Sequence, residues 1–166
     1  IRGQVALGTA LHFTVDINAA QEVPVNVTTG TGTGVFVLNT DRTEMDYAIA
    51  YQGLTGVLSA GGHVHVGAPG VSGGVVRTIA KGGDPAANVV RDSWKATDSS
   101  QPLTSALVDS AIAGRLYVNF HTTANPAGEI RGQLVLVGGT GFSASLEADK
   151  QVPPVTADGR GVAYIV

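Results

Sequence analysis

The chain has no cysteine. Neither a disulfide framework nor a thiol nucleophile can be built from it, and cysteine spacing gives no information on its redox compartment. Charge is scarce too. Only 14% of the 166 residues are charged, the formal balance is -3, and the Lys and Arg residues are scattered. Without a basic run or an aromatic-interleaved patch to neutralise a row of phosphates, nucleic acid is not an expected partner. Long apolar runs are missing as well: the mean hydropathy is +0.20, yet nothing approaches the ~20 apolar residues of a membrane helix. No membrane span is expected in this segment. There is no Gly-x-Ser-x-Gly elbow and no Walker loop, and the glycine-rich stretch from Gly67 to Gly74 follows a strand pattern without opening a helix, so it reads as a turn. Asp41, Glu44 and Asp46 lack the spacing of a calcium loop.

What the chain has is strand chemistry: 43% hydrophobic residues, 23 glycines, and many Thr and Val. Runs bounded by Gly, Pro, Asn or Asp predict strands at about 2–7, 11–19, 33–39, 43–51, 61–66, 74–80, 89–96, 115–122, 129–137, 142–148 and 161–166. So many short strands imply an all-β fold, a Greek-key β-sandwich or barrel. One short crossover helix is expected from Pro102 to Ala113, with Pro102 in its first turn, Leu103, Leu107 and Ala111 on one face, and Gly114 closing it. Trp94, the single tryptophan, is expected to pack in a strand. One glycosylation triplet, Asn26-Val27-Thr28, falls in a stretch expected to be a surface loop.

The two ends of the sequence resemble each other. Ile1-Arg2-Gly3-Gln4-Val5 recurs as Ile130-Arg131-Gly132-Gln133-Leu134, and the run from Phe13 to Pro24 recurs as Phe142 to Pro153, both displaced by 129 positions. Gly32, Gly34 and Val35 align with Gly159, Gly161 and Val162 if two residues are deleted. Residues 1–10 are therefore expected to be the closing strand of a preceding repeat and 11–137 a complete module. Residues 138–166 are then a linker, Gly138-Gly139-Thr140-Gly141, followed by the opening strands of the next repeat. Edge strands of low charge can accept another chain's strand, so neighbouring copies or repeats are the expected partners.

Two motifs stand out: Gly62-His63-Val64-His65-Val66-Gly67-Ala68-Pro69-Gly70, followed by Gly73-Gly74, and the run from Gly114 to Gln133 containing Tyr117-Val118-Asn119-Phe120-His121 and Glu129-Ile130-Arg131-Gly132-Gln133. With Glu22-Val23-Pro24 and its second copy Gln151-Val152-Pro153-Pro154, they resemble the CHRD (chordin-domain) family across 11–137. That resemblance implies an extracellular or cell-surface module, often in tandem, and allows for binding of protein ligands. A His-x-His strand paired with a later strand ending in His is also similar to the copper half of the copper/zinc superoxide dismutase site, which implies a superoxide-dismutase-like Greek-key barrel.

Period-two geometry tests the histidines independently. If Val64 and Val66 face one way, His63 and His65 face the other; if Leu116, Val118 and Phe120 face the core, Tyr117, Asn119 and His121 face outward. By the same rule Ile130, Leu134 and Leu136 face inward and Glu129, Arg131 and Gln133 outward. His63, His65 and His121 are thus the candidate metal ligands. Copper is the expected ion and zinc the second choice, because neutral imidazoles suit both and copper(II) stands highest in the divalent affinity order. His12, on the opening strand, is expected at the surface, with a fourth ligand as the lesser alternative. No histidine lies between His65 and His121, so the bridging and zinc-side ligands of a dismutase are missing. The expectation is a non-catalytic structural or adhesive module of an extracellular array or fibre; a copper-dependent redox enzyme and a protein-ligand binding module are the alternatives.

Overall fold

A computed structural model describes residues 2, 4, 6–7, 10–80, 88–138, 142–156 and 160–165. Alternation of apolar and polar residues sets the strands. They are β1 (Ala6–Leu7), β2 (Leu11–Asn18), β3 (Thr31–Leu38), β4 (Glu44–Gln52), β5 (Leu58–Val66), β6 (Val75–Ala80), β7 (Val89–Lys95), β8 (Leu116–Thr122), β9 (Ile130–Gln133), β10 (Val135–Leu136), β11 (Phe142–Glu147) and β12 (Arg160–Ile165). The fold is all-β with one short helix, α1 (Ser105–Ile112), between β7 and β8. The helix starts later than the sequence suggests. Leu103 donates its N–H to the Lys95 carbonyl at 3.0 Å and Trp94 Nε1 donates to the Gln101 carbonyl at 2.7 Å, so the Pro102 segment is tied to β7. Thr104 caps the helix instead, accepting from Leu107 N–H, and Gly114 closes it with a φ of +67°.

Among the described residues, nine strands form one antiparallel sheet in the order β6-β5-β8-β9-β2-β3-β4-β7, with β10 paired to β2. The β4-to-β5 and β7-to-β8 connections skip their neighbours, as a Greek key requires. The sheet curls into a barrel whose two end strands face each other. Arg77 on β6 bridges this seam, donating to Asp92 Oδ2 at 3.1 Å, to the Ser93 carbonyl at 3.2 Å and to Asp98 Oδ2 at 2.7 Å. The interior holds Phe13, Val15 and Ile17 of β2, Phe36 and Leu38 of β3, Tyr47 and Ile49 of β4, Trp94 of β7 and Leu116, Val118 and Phe120 of β8. Removing such side chains from water is the main stabilising term of the fold.

A second, three-stranded sheet runs β1-β11-β12. Its register repeats that of the first. Ala6↔Ser143 and Leu7↔Phe142 correspond to Val135↔Thr14 and Leu136↔Phe13, and the Arg2↔Glu147 bridge corresponds to Arg131↔Asn18, each member displaced by 129 positions. The ladder Phe142↔Ile165 to Glu147↔Arg160 likewise corresponds to Phe13↔Phe36 to Asn18↔Thr31. The turns that follow match too. Glu22 N–H and Asn26 N–H donate to the Ala19 carbonyl as Gln151 N–H and Val155 N–H donate to that of Ala148. This constant displacement corrects the two-residue deletion inferred from sequence, because Gly161 pairs with Leu146 as Gly32 pairs with Ile17. The expected linker lies mostly outside the described residues, which include Gly138 alone of its four.

Two expectations about facing are corrected. His12 is 4% exposed and not at the surface. It pairs with Val37 of β3 on one side, and on the other its carbonyl accepts the Val137 N–H at 2.8 Å, so chain lies along both flanks. The strand expected over 129–137 divides at Leu134, whose N–H donates to the Leu116 carbonyl; beyond it Val135 and Leu136 are both exposed, so Leu136 does not face the core.

Candidate metal centre

The site is built on β8, a strand buried on both faces. Leu116, Val118 and Phe120 enter the apolar core, and the alternate residues Tyr117, Asn119 and His121 form a polar layer on the opposite face. β5 runs antiparallel beside it and sets His65 opposite Tyr117, His63 opposite Asn119 and Gly61 opposite His121. β9 flanks the other side, with Gln133 opposite Tyr117 and Arg131 opposite Asn119. Register shifts in the β5–β6 pairing fall on either side of His63 and Val64, the kind of irregularity that re-aims side chains next to a site.

Alternation does bring the three histidines together. Ring centroids lie 5.2 Å apart for His63 and His121, 5.7 Å for His63 and His65, and 5.8 Å for His65 and His121. One ring nitrogen from each residue lies within 4.8 Å of the others. Some point therefore lies within about 2.8 Å of all three atoms, against roughly 2.0–2.1 Å for a metal–imidazole bond. Closing that gap takes less than 1 Å of movement per ring, and the cluster fits a metal ion. His12 is not part of it.

Backbone carbonyls set the tautomers. His65 Nδ1 lies 2.9 Å from the Gly73 carbonyl and His121 Nδ1 3.1 Å from that of Pro126. A carbonyl only accepts, so each Nδ1 carries the hydrogen and each Nε2 is left with a free lone pair. His63 Nδ1, His65 Nε2 and His121 Nε2 are all shielded from solvent and have no hydrogen-bond partner. Buried nitrogens left without a partner are costly unless something fills the gap beside them.

The electrostatics keep the rings neutral. Burial lowers the His63 pKa to about 4, helped by His121 and His65. Burial also lowers His121, against the Pro126 hydrogen bond, and lowers His65, where Gly73 opposes and the charges of His121 and Arg131 assist. Protons therefore do not compete for the lone pairs at neutral pH.

The face expected to be outward is itself covered, which corrects the picture of an exposed polar cluster. Glu129 is 0% and Arg131 2% exposed. Glu129 accepts from Thr55 N–H at 2.7 Å and from the Thr122 hydroxyl at 2.5 Å, and these bonds, with Asn125, outweigh burial and lower its pKa. Arg131 donates to the Ala68 and Val71 carbonyls at 3.1 and 3.0 Å, pinning the loop after β5 over the site. In that loop Gly73 carries the carbonyl that holds His65, and a Cβ there would lie 1.6 Å from the Val66 oxygen. Sequence reasoning missed this role, although the Gly73-Gly74 pair was the available signal.

Glu22 was also missed as a site residue. It is 5% exposed, its Oε2 accepts from Asn119 Nδ2 at 3.4 Å, and its Oε1 has no partner. Burial pushes its carboxyl up to about 7, against the lowering effects of the Val23 N–H, the Arg131 charge and Asn119. Gly128 packs on this pair at a φ of +139°, and a Cβ there would meet Glu22 Oε1 at 2.7 Å. The sequence offered Glu22 only as part of a motif.

An antiparallel Greek-key barrel with a roofed three-histidine cluster is a β-module with a candidate metal centre. The chain belongs to the CHRD domain family, whose model matches residues 13–134. No curated protein matches the chain, and no solved structure does. Among the described residues no helix is long and apolar enough to cross a membrane.

Proposed function

We propose that the chain is a non-catalytic structural or adhesive module of an extracellular array, and that His63, His65 and His121 bind one copper ion that locks β5, β8 and the roofing loops together. The observation that carries this reading is the trio of buried, unpartnered nitrogens, with the tautomers of His65 and His121 set by Gly73 and Pro126. The three nitrogens are shut off from solvent, which supports a structural ion. Three protein ligands leave a fourth position open, as in catalytic sites, so a redox enzyme is the reading that turnover must separate. Three imidazoles suit copper first and zinc second. The extracellular setting is supported by membership of the CHRD family, and the array by the sequence similarity of the two ends and the shared register of the two sheets.

Thermal unfolding with and without one equivalent of copper tests the reading in the wild type and in His121→Ala. A rise in midpoint confined to the wild type supports it; no rise, or equal rises, contradicts it. Turnover of superoxide or peroxide by the copper form would favour a redox enzyme.

A further inference from the structure

The segment Ile1 to Val5 and the segment Ile130 to Leu134 are nearly the same sequence, and the equivalent residues Arg2 and Arg131 meet equivalent partners. Arg131, Val135 and Leu136 pair with Asn18, Thr14 and Phe13 within the large sheet. Arg2, Ala6 and Leu7 pair with Glu147, Ser143 and Phe142 in the same antiparallel register. The bridge is made in both directions, with Arg2 N–H to the Glu147 carbonyl and Glu147 N–H to the Arg2 carbonyl each at 2.9 Å. A closing strand and an opening strand need not be neighbours in sequence to pair, because Arg2 and Glu147 are separated by the whole of β2 to β10.

The main-chain bonds are alike wherever such a pair forms, so the choice of partner falls to chain entropy and effective concentration. A partner on a second molecule offers the same ladder. We infer that the strand Ala6–Leu7 and the bridging residue Arg2 of one copy pair with Phe142–Glu147 of a second copy of this chain, in the register Ala6↔Ser143. Because this contact is heterologous, joining a donor strand to an acceptor elsewhere on the molecule, repeated exchange produces an open head-to-tail fibre. The inference rests on the array reading above and adds the strand, the acceptor and the register.

The absence of cysteine makes introduced thiols unique. Ala6→Cys and Ser143→Cys chains are co-refolded at high protein concentration and oxidised, beside an off-register control of Gln4→Cys with Ser143→Cys, and the double variant Ala6→Cys/Ser143→Cys is refolded dilute. The expected result is a mixed covalent dimer, several-fold more abundant than in the control and rising with concentration, together with closure of the double variant within one chain. Closure of the double variant without an excess of mixed dimer would overturn the exchange and leave the array reading standing. Failure of both would remove the shared register, and the array reading with it.

Discussion

The His65 ring lies 4.9 Å from the Tyr117 ring and within 12° of parallel to it, while the Arg131 guanidinium sits over the same Tyr117 ring at 3.6 Å. Tyr117 thereby links a candidate ligand to the arginine that pins the roofing loop. Its hydroxyl also accepts the Gly73 N–H at 3.0 Å, and Gly73 is the residue whose carbonyl orients His65.

Replacing Tyr117 with Phe keeps the stack and removes the hydroxyl. Loss of one hydrogen bond costs about 1 kcal/mol of stability, and loosening a group that orients a ligand lowers metal affinity by roughly 10-fold or more. Copper titration of Tyr117→Phe checks this: unchanged affinity would mean that the Gly73 carbonyl holds His65 without help.

Glu22 gives a pH dependence of known sign. Its carboxyl stands at about 7 in the folded chain against an ordinary value of 4.5, so the folded state binds the proton more tightly than the unfolded state. This contribution is fully present below 4.5 and is lost as pH rises through 7. Glu22→Gln keeps the shape and cannot ionise. Urea unfolding should find the variant about 3 kcal/mol more stable than wild type at pH 8, taking roughly 1.36 kcal/mol per pKa unit over the rise from 4.5 to about 7, and equal to it well below pH 4.5. A stability difference that does not change with pH would contradict the assignment.

Asn26 should carry no glycan despite its triplet. Its Nδ2, the atom a glycan would take, donates to Asn125 Oδ1 at 3.0 Å and to the Gly128 and Glu129 carbonyls at 3.3 and 3.4 Å. Secretion from a glycosylating host followed by intact mass measurement should give the unmodified mass. Asn26→Ala should lose about 1–3 kcal/mol, because partners of the amide are left unsatisfied.

Alternation carries far in this protein and then stops. It put His63 and His65 on one face of β5 and His121 on the matching face of β8, because Val64, Val118 and Phe120 anchor the other faces in the core. It gave no sign that this second face is roofed. The roof consists of loops brought in from far along the chain, by Arg131 to Ala68 and Val71 and by Asn26 to Asn125, and long-range pinning leaves no periodic trace. His12 departs from alternation outright: it is 4% exposed beside the buried Phe13, whereas Thr14, paired on both flanks of the same strand, is exposed. The paired ends were visible as similar sequence, yet only strand register showed that no deletion separates them.

Calorimetric titration of copper(II) into the metal-free chain, read together with the electron paramagnetic resonance spectrum of the product, tests the central claim most directly. The account predicts one ion per chain, hyperfine structure from three imidazole nitrogens, and loss of both in His121→Ala. Binding that is absent, or that survives unchanged in His121→Ala, would contradict it.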